Sequence, residues 1–330
     1  MGFENSGELN KKNKEDELKD PGRRKFLKDL LIGSAGLAVS VSPLRKAFGE
    51  EKKKEIKTIK PKIEKFEFNA EKIAQEILRA YNSSAISCRF NPEVFTQDFF
   101  MAQQFQESRG DYQAESSSGA RGVYQNKPVS VKDVIEYLAF LRKYTRNLPA
   151  SQRCDYNGPN SISLKEAEEI SKLFLEKADY GRATGKLYLL SIHDKESKYN
   201  NSPNPDVFRS KSPERQQELL LLSYHDGPSC RLHPEKASEN AKEYVHLVKK
   251  CMKTIADIRD RFERAGISRN LNYAILKILQ ELDRKENRNK SKEVISHWLE
   301  KLQQAHRKKW QENGNIKESL NIEEISKIFA

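Results

Sequence analysis

The carboxyl group of Glu107 stands where the sequence favours acid–base chemistry. Apolar residues recur at roughly helical spacing before it, at Val94, Phe95, Phe99, Met101, Ala102 and Phe105. We therefore expect Glu107 near the C-terminal end of a helix whose apolar face is buried. Because a carboxyl group held against such a face is costly to ionise, its pKa should rise toward the range of a general acid at neutral pH.

Turn-forming residues follow Glu107. Gly110, the serines at 116–118, Gly119 and Gly122 cluster within 15 residues of it. This composition predicts that the helix gives way to loops or a short hairpin. Glycines at such positions also let the backbone approach a bound molecule closely.

Ten residues between positions 107 and 128 fall in one ungapped frame. They are Glu107, Ser108, Ala114, Ser116, Gly119, Ala120, Gly122, Val123, Gln125 and Pro128. The frame resembles the signature of the soluble lytic transglycosylases, the peptidoglycan-cleaving branch of the lysozyme-like superfamily. A Glu-Ser pair alone is uninformative, but ten positions in one frame make chance agreement a poor explanation.

Three later stretches resemble other elements of the same family. Residues 185–190 are similar to its G-x-x-Y-L helix, which packs beneath the cleft. Tyr224 keeps the tyrosine of its A-Y-N-A-G-P-G-R element, and His225 replaces the Asn. Tyr244 belongs to a stretch similar to its closing T-R-x-Y-V-x-x-V helix. The resemblance thus covers about residues 90–255.

The resemblance implies roles for five side chains. Glu107 would be the catalytic residue, and Tyr224 would orient it. Ser108 and Gln125 would hydrogen-bond the substrate, and His225 stands where the family has a glycan-contacting Asn. No cofactor and no metal are implied.

The resemblance also implies chemistry with one carboxyl group. Glu107 would protonate the oxygen between N-acetylmuramic acid and N-acetylglucosamine, and an oxocarbenium-like state would form. The carboxylate would then take the proton of the muramic C6 hydroxyl, which attacks C1 to give a 1,6-anhydro product. Water need not enter.

Two other functions remain open on the same fold. Ordinary glycosidases pair an acid with a second carboxylate. Asp111, Glu115 and Asp226 are the nearest candidates for it, and one facing Glu107 would favour a hydrolytic muramidase. A non-catalytic peptidoglycan-binding or scaffold protein is the other alternative, motivated by His225 and by the long helical tail.

The stretch around position 225 also contains residue types that bind zinc. These are His225, Asp226, Cys230 and His233. Their spacing matches no standard finger or catalytic motif, so we predict no metal.

The N-terminus resembles an export signal. Arg23 and Arg24 begin a basic head like the twin-arginine motif, followed by a short apolar run and a small-residue exit at Gly49. We assign residues 1–49 to this signal and residues 50–68 to a basic linker, and expect a periplasmic or extracellular protein. The apolar run is short for a membrane span, so contact with a membrane is expected only through an uncleaved signal.

Charge restricts the partners. The net charge of +12 fits an anionic cell wall as well as nucleic acid or lipid. The basic residues are scattered among acids rather than interleaved with aromatics, and we find no nucleic-acid-binding motif. We therefore predict peptidoglycan glycan strands as the partner and no nucleic acid. An envelope protein is a possible partner for the C-terminal helices.

The apolar periodicities predict a mainly α protein. The resemblance implies a lysozyme-like helical domain with a small loop or hairpin element at residues 69–255, and the periodicity predicts a helical C-terminal extension at residues 256–330. The chain has four cysteines, Cys88, Cys154, Cys230 and Cys251, which allow three full pairings. A twin-arginine substrate folds before export, so reduced thiols are equally credible.

Overall fold

A computed structural model describes most of the chain after residue 67. The described residues are 68–194, 209–227, 230, 233–268, 271–284, 287, 290–313 and 320–329. They belong to one compact unit, Glu64–Ala330. The export signal at residues 1–49 and nearly all of the linker at residues 50–68 lie outside the described residues, and both remain predictions.

The mainly α prediction is confirmed. The α-helices are α1 Ala70–Tyr81, α2 Ser84–Ser87, α3 Gln97–Ser108, α4 Pro128–Thr145, α5 Leu164–Lys172, α6 Ala178–Asp194, α7 Pro213–Asp226, α8 Glu239–Arg264, α9 Asn272–Asp283, α10 Ser291–Asn313 and α11 Ile322–Phe329. Instead of strands, the loop between α3 and α4 contains two isolated antiparallel bridges, Glu115 with Arg121 and Arg121 with Asn126. These bridges are the small hairpin-like element of this fold.

Local signals in the sequence begin several of these helices. Ser163 followed three residues later by Glu166 predicts a capping box at the start of a helix. It forms at the start of α5, where the hydroxyl of Ser163 accepts the Glu166 N–H and the Glu166 carboxylate accepts the Ser163 N–H. The sequence of residues 163–180 predicts a single helix. This prediction is wrong, because a 3-10 turn at Leu173–Leu175 interrupts the helix and α6 starts afresh at Ala178. This turn buries Phe174 completely.

Helix α3 is central to the fold. Phe99, Ala102, Gln103 and Phe105 are buried on it. Helix α8 runs antiparallel along α3, since Tyr244 near the start of α8 contacts Glu107 and the later residue Arg259 contacts Asp98. The apolar face predicted from the spacing before Glu107 is therefore the face that fills the core.

Helix α6 approaches the loop after α3 so closely that only glycine fits at the contact. A Cβ on Gly185 would lie 2.3 Å from Cγ of Tyr124, whose side chain is fully buried. Tyr124 in turn accepts a hydrogen bond at its hydroxyl from the Gln104 amide of α3. The G-x-x-Y-L stretch thus packs directly beneath the loop that follows Glu107.

We expect Gly185→Ala to lower the free energy of unfolding by about 2 kcal/mol, because overpacking costs about 3 kcal/mol and the better helix propensity of Ala returns about 1. Urea denaturation of the two proteins measures the difference. Gly181→Ala is the matched control on the same helix, since its Cβ would lie 3.3 Å from Phe174. Equal effects of the two substitutions would contradict the tight contact with Tyr124.

The C-terminal extension is continuous with the rest of the fold. Helix α8 crosses the predicted boundary after residue 255 without a break and ends at Arg264. The fully buried Ile275 and Ile278 of α9 join the same apolar cluster as α3 and α8. The apolar periodicity predicts that Tyr144 is one of the inward residues of α4. This prediction is wrong, since Tyr144 is 70% exposed and stacks on Phe140.

All four cysteines are thiols in the structure. Cys88 is exposed, whereas the other three are buried, and burial raises the pKa of Cys154 to about 11 and of Cys251 to about 12. Buried thiols of high pKa react slowly. Within the described ranges, no helix is both long and apolar enough to cross a membrane.

Candidate active site

Glu107 is the penultimate residue of α3, which ends at Ser108. The next residue, Arg109, has a φ of 58° and caps the helix in the left-handed conformation. Glu107 therefore lies at the end of the central helix and beside the loop, as the sequence predicts. Its side chain is partly buried.

The surroundings of Glu107 favour the neutral acid. Burial raises the pKa of Glu107 to about 7, against the lowering effects of a hydrogen bond from Tyr244 and of the charges on His225 and Lys127. A carboxyl group with a pKa near 7 is present in both protonation states at neutral pH. It can therefore donate a proton in one step and accept one in the next.

The hydroxyl that contacts Glu107 is that of Tyr244. Its Oη donates to Glu107 Oε1 at 2.5 Å. Tyr244 lies on α8, and burial together with the charge of Glu107 raises its own pKa well above the usual value. We therefore expect Tyr244 to remain a hydrogen-bond donor throughout the neutral pH range.

This contact corrects one prediction. Tyr224 was predicted to orient Glu107, but its hydroxyl donates to the backbone carbonyl of Tyr124. The reason is that the loop after α3 brings this carbonyl within hydrogen-bonding reach of Tyr224 on α7. Tyr224 still lies near enough that the charge of Glu107 helps raise its pKa, after burial. Substrate contact by Tyr224 stays a prediction.

Tyr244→Phe should raise the pKa of Glu107 above 7, because the lost hydrogen bond stabilises the carboxylate. The titration of Glu107 can be followed by NMR of protein labelled with δ-¹³C-glutamate, with Glu107→Gln to assign the signal. Tyr224→Phe is the matched control, since its hydroxyl bonds a carbonyl instead. An unchanged midpoint in Tyr244→Phe would contradict the contact.

Ser108 and Gln125 hold the loop in place. The Ser108 hydroxyl lies 3.0 Å from the Val123 carbonyl oxygen and accepts the Gly110 N–H. The Gln125 amide donates to the carbonyls of Ala114 and Gly122 at 3.0 and 3.1 Å. The structure therefore gives both side chains a positioning role, and their contact with substrate stays a prediction.

His225 also contacts Tyr244. Its ring centroid is 5.4 Å from that of Tyr244, and its Nδ1 lies 2.7 Å from Asp226 Oδ1. The other carboxylate oxygen of Asp226 accepts the N–H of Ser238, the N-cap of α8. Tyr244 thus contacts both Glu107 and His225, and His225 is exposed to solvent.

The three candidates for a second carboxylate have other partners. Glu115 pairs with Arg121 at 2.7 Å, and Asp111 accepts the N–H of Gln113 in its own turn. Asp226 binds His225 and the start of α8. The described neighbours that shift the pKa of Glu107 include none of these acids.

The described residues contain no group of three or more His, Cys, Asp and Glu side chains arranged to hold a metal ion. In the stretch considered above for zinc, His225 is paired with Asp226, and Nδ1 of His233 lies 3.2 Å from Glu235 Oε1. These partners are a simpler account of both histidines.

Comparison with known proteins adds no relative. No protein-family model, no curated protein and no solved structure matches this chain.

Proposed function

We propose that this protein is an exported lytic transglycosylase that cleaves the β-1,4 bond from N-acetylmuramic acid to N-acetylglucosamine. The observation that carries the proposal is the carboxyl group of Glu107. It lies at the end of a helix with a buried face, has a pKa of about 7 and accepts a hydrogen bond from Tyr244. The ten-residue frame at 107–128 supports the same assignment, and we propose a lysozyme-like arrangement of the helices around it.

In the first step Glu107 is the acid. At pH 7 about half of the Glu107 side chains carry a proton, which is transferred to the glycosidic oxygen as the bond to C1 breaks. N-acetylglucosamine leaves with its hydroxyl restored, and positive charge develops at C1 of the muramic ring. The Glu107 carboxylate, now negative, stabilises that charge, and Tyr244 donates a hydrogen bond to the carboxylate.

In the second step Glu107 is the base. Its carboxylate accepts the proton of the muramic C6 hydroxyl while the C6 oxygen forms a bond to C1. The products are a 1,6-anhydro end and a new N-acetylglucosamine end, and Glu107 is protonated again. The same pKa suits both steps, because a group near neutrality loses little in either direction.

The predicted partners and location follow from this proposal. The substrate is the glycan strand of peptidoglycan, and the twin-arginine signal would deliver the folded protein to the periplasm or the exterior. Export of a folded chain is consistent with the four cysteines being thiols in the structure.

The products of peptidoglycan digestion test the proposal. Purified peptidoglycan is treated with residues 50–330, and the released muropeptides are analysed by mass spectrometry beside those from Glu107→Gln. We expect products lighter than reducing muropeptides by one water, and none from the variant. Reducing ends instead would identify a hydrolytic muramidase. No release from walls of several types by the unsubstituted protein would favour the non-catalytic binding protein.

A further inference from the structure

The turn directly after Glu107 and Ser108 has an unfavourable backbone conformation. Arg109 has a φ of 58° and Gly110 a φ of 79°, so two consecutive residues are left-handed. Glycine adopts this conformation freely, but arginine does so at a cost in free energy. Such a residue persists when the surrounding structure holds it in place, and it is found preferentially at functional sites.

Two side chains of α9 hold Arg109. The amide of Gln280 donates to the Arg109 carbonyl oxygen at 2.8 Å. The Arg109 Nε lies 2.7 Å from Asp283 Oδ2. Within α3, the guanidinium donates to the Phe105 carbonyl at 2.9 Å and lies 5.0 Å from the centroid of the Phe105 ring. The turn is therefore held from the helix that it ends and from the C-terminal extension.

Leu276 of α9 covers the second residue of the turn. A Cβ on Gly110 would lie 2.7 Å from both terminal carbons of Leu276. Leu276, Gln280 and Asp283 are spaced by four and three residues, so they lie on one face of α9. We call these three residues the α9 clamp.

Each polar contact of the α9 clamp is weak alone. The side chains of Arg109 and Asp283 are 47% and 45% exposed, and exposed ion pairs contribute little. The contacts are important because of their position. Every residue of the α9 clamp contacts Arg109 or Gly110, the two residues that follow Glu107 and Ser108. A catalytic group displaced by about 1 Å can lose a hundredfold in rate.

We infer that the α9 clamp positions Glu107, by holding the Arg109–Gly110 turn so that the end of α3 keeps the Glu107 carboxyl against Tyr244. The inference deepens the proposed function and rests on it. It makes the extension a part of the catalytic unit, and Gln280 and Asp283 its positioning residues.

The test is the double variant Gln280→Ala/Asp283→Ala in the full chain. We expect kcat on glycan strands to fall about tenfold while KM stays within about twofold, because the substrate contacts remain. Displacement of Glu107 loses the Tyr244 hydrogen bond, which alone would raise the pKa, but it also admits water to the carboxyl. Because burial is the larger influence on this group, the NMR midpoint of Glu107 should fall from about 7 toward its ordinary 4.5. Tyr244, His225 and Lys127, which also act on Glu107, are unchanged in this variant.

The matched control is Gln303→Ala/Asp257→Ala. Gln303 also donates its amide to the carbonyl of a helix C-cap, Ala265, and Asp257 also binds an arginine Nε, that of Arg261. We expect this control to change neither kcat nor the midpoint. The single variant Asp283→Asn leaves Gln280 in place and keeps an acceptor oxygen for Arg109. We expect it to retain most of kcat and most of the raised Glu107 midpoint.

A folded double variant with both kcat and the Glu107 midpoint unchanged would overturn the inference. If the double variant fails to fold, Gln280→Ala alone decides the matter, with the same two measurements and about half the effect on a logarithmic scale. The midpoint requires no substrate, so it separates the two proposals. A lowered midpoint in a protein that cleaves no glycan would keep the clamp and refute the transglycosylase.

Discussion

Glu107→Gln is expected to slow glycan cleavage by about 10³-fold or more. General acid–base catalysis by a positioned group contributes about 10² to 10⁴ to a rate, and here one group serves both steps. Glutamine has the same shape and can still accept the hydrogen bond of Tyr244, so the fold and the binding of substrate should be retained. It can neither give a proton to the leaving oxygen nor take one from the C6 hydroxyl.

The rate is measured as the release of muropeptides from purified peptidoglycan at several substrate concentrations. Glu243→Gln is the matched control, because Glu243 is an exposed glutamate next to Tyr244 on α8. We expect this control to cleave normally. A Glu107→Gln protein with more than a tenth of the original rate would show that another residue is the acid.

The same substitution should stabilise the protein at alkaline pH. Folding raises the pKa of Glu107 from 4.5 to about 7, so the folded protein binds a proton that the unfolded chain has released. The contribution of Glu107 to stability is therefore fully present below pH 4.5 and is lost as the pH rises through 7. Glutamine does not ionise and avoids this loss, which amounts to about 3 kcal/mol above pH 8.

Urea denaturation at pH 4.5 and pH 8.5 measures this difference. We expect Glu107→Gln to exceed the unsubstituted protein in unfolding free energy by about 2 to 3 kcal/mol at pH 8.5 and by little at pH 4.5. Glu243→Gln should show no such dependence. A gain that is equal at the two pH values would mean that the pKa of Glu107 is not raised by folding.

Local features of the site could be predicted from the sequence. The apolar spacing before Glu107 identifies both the helix and its buried face, because helical periodicity is a property of neighbouring residues. The glycines and serines after it correctly predict loops, and Ser163 with Glu166 predicts a helix start. The break at Leu173–Leu175 could not be predicted, since it depends on Phe174 entering the core formed by distant helices.

The partners of Glu107 were harder to predict. Tyr244 is 137 residues away in the chain and meets Glu107 because α8 returns antiparallel to α3. Tyr224 was the obvious tyrosine in the sequence, but no local pattern indicates which of two tyrosines faces a given carboxyl group. The only signal was the position of Tyr244 in the closing helix. Asp283 is farther still, 174 residues from Arg109, in a tail without a recognised motif.

Helix α8 also makes the site sensitive to the angle between helices. Arg259 of α8 binds Asp98 at the start of α3 and Asn272 at the start of α9, whereas Tyr244 lies 15 residues earlier on the same helix. At 1.5 Å per residue, the arm from Arg259 to Tyr244 is about 22 Å long, and a tilt of about 5° around Arg259 would move the Tyr244 hydroxyl by about 2 Å. Such a small rotation would separate Tyr244 from Glu107. The contact between these two residues therefore depends on the helix angle that Arg259 fixes at the junction with the extension.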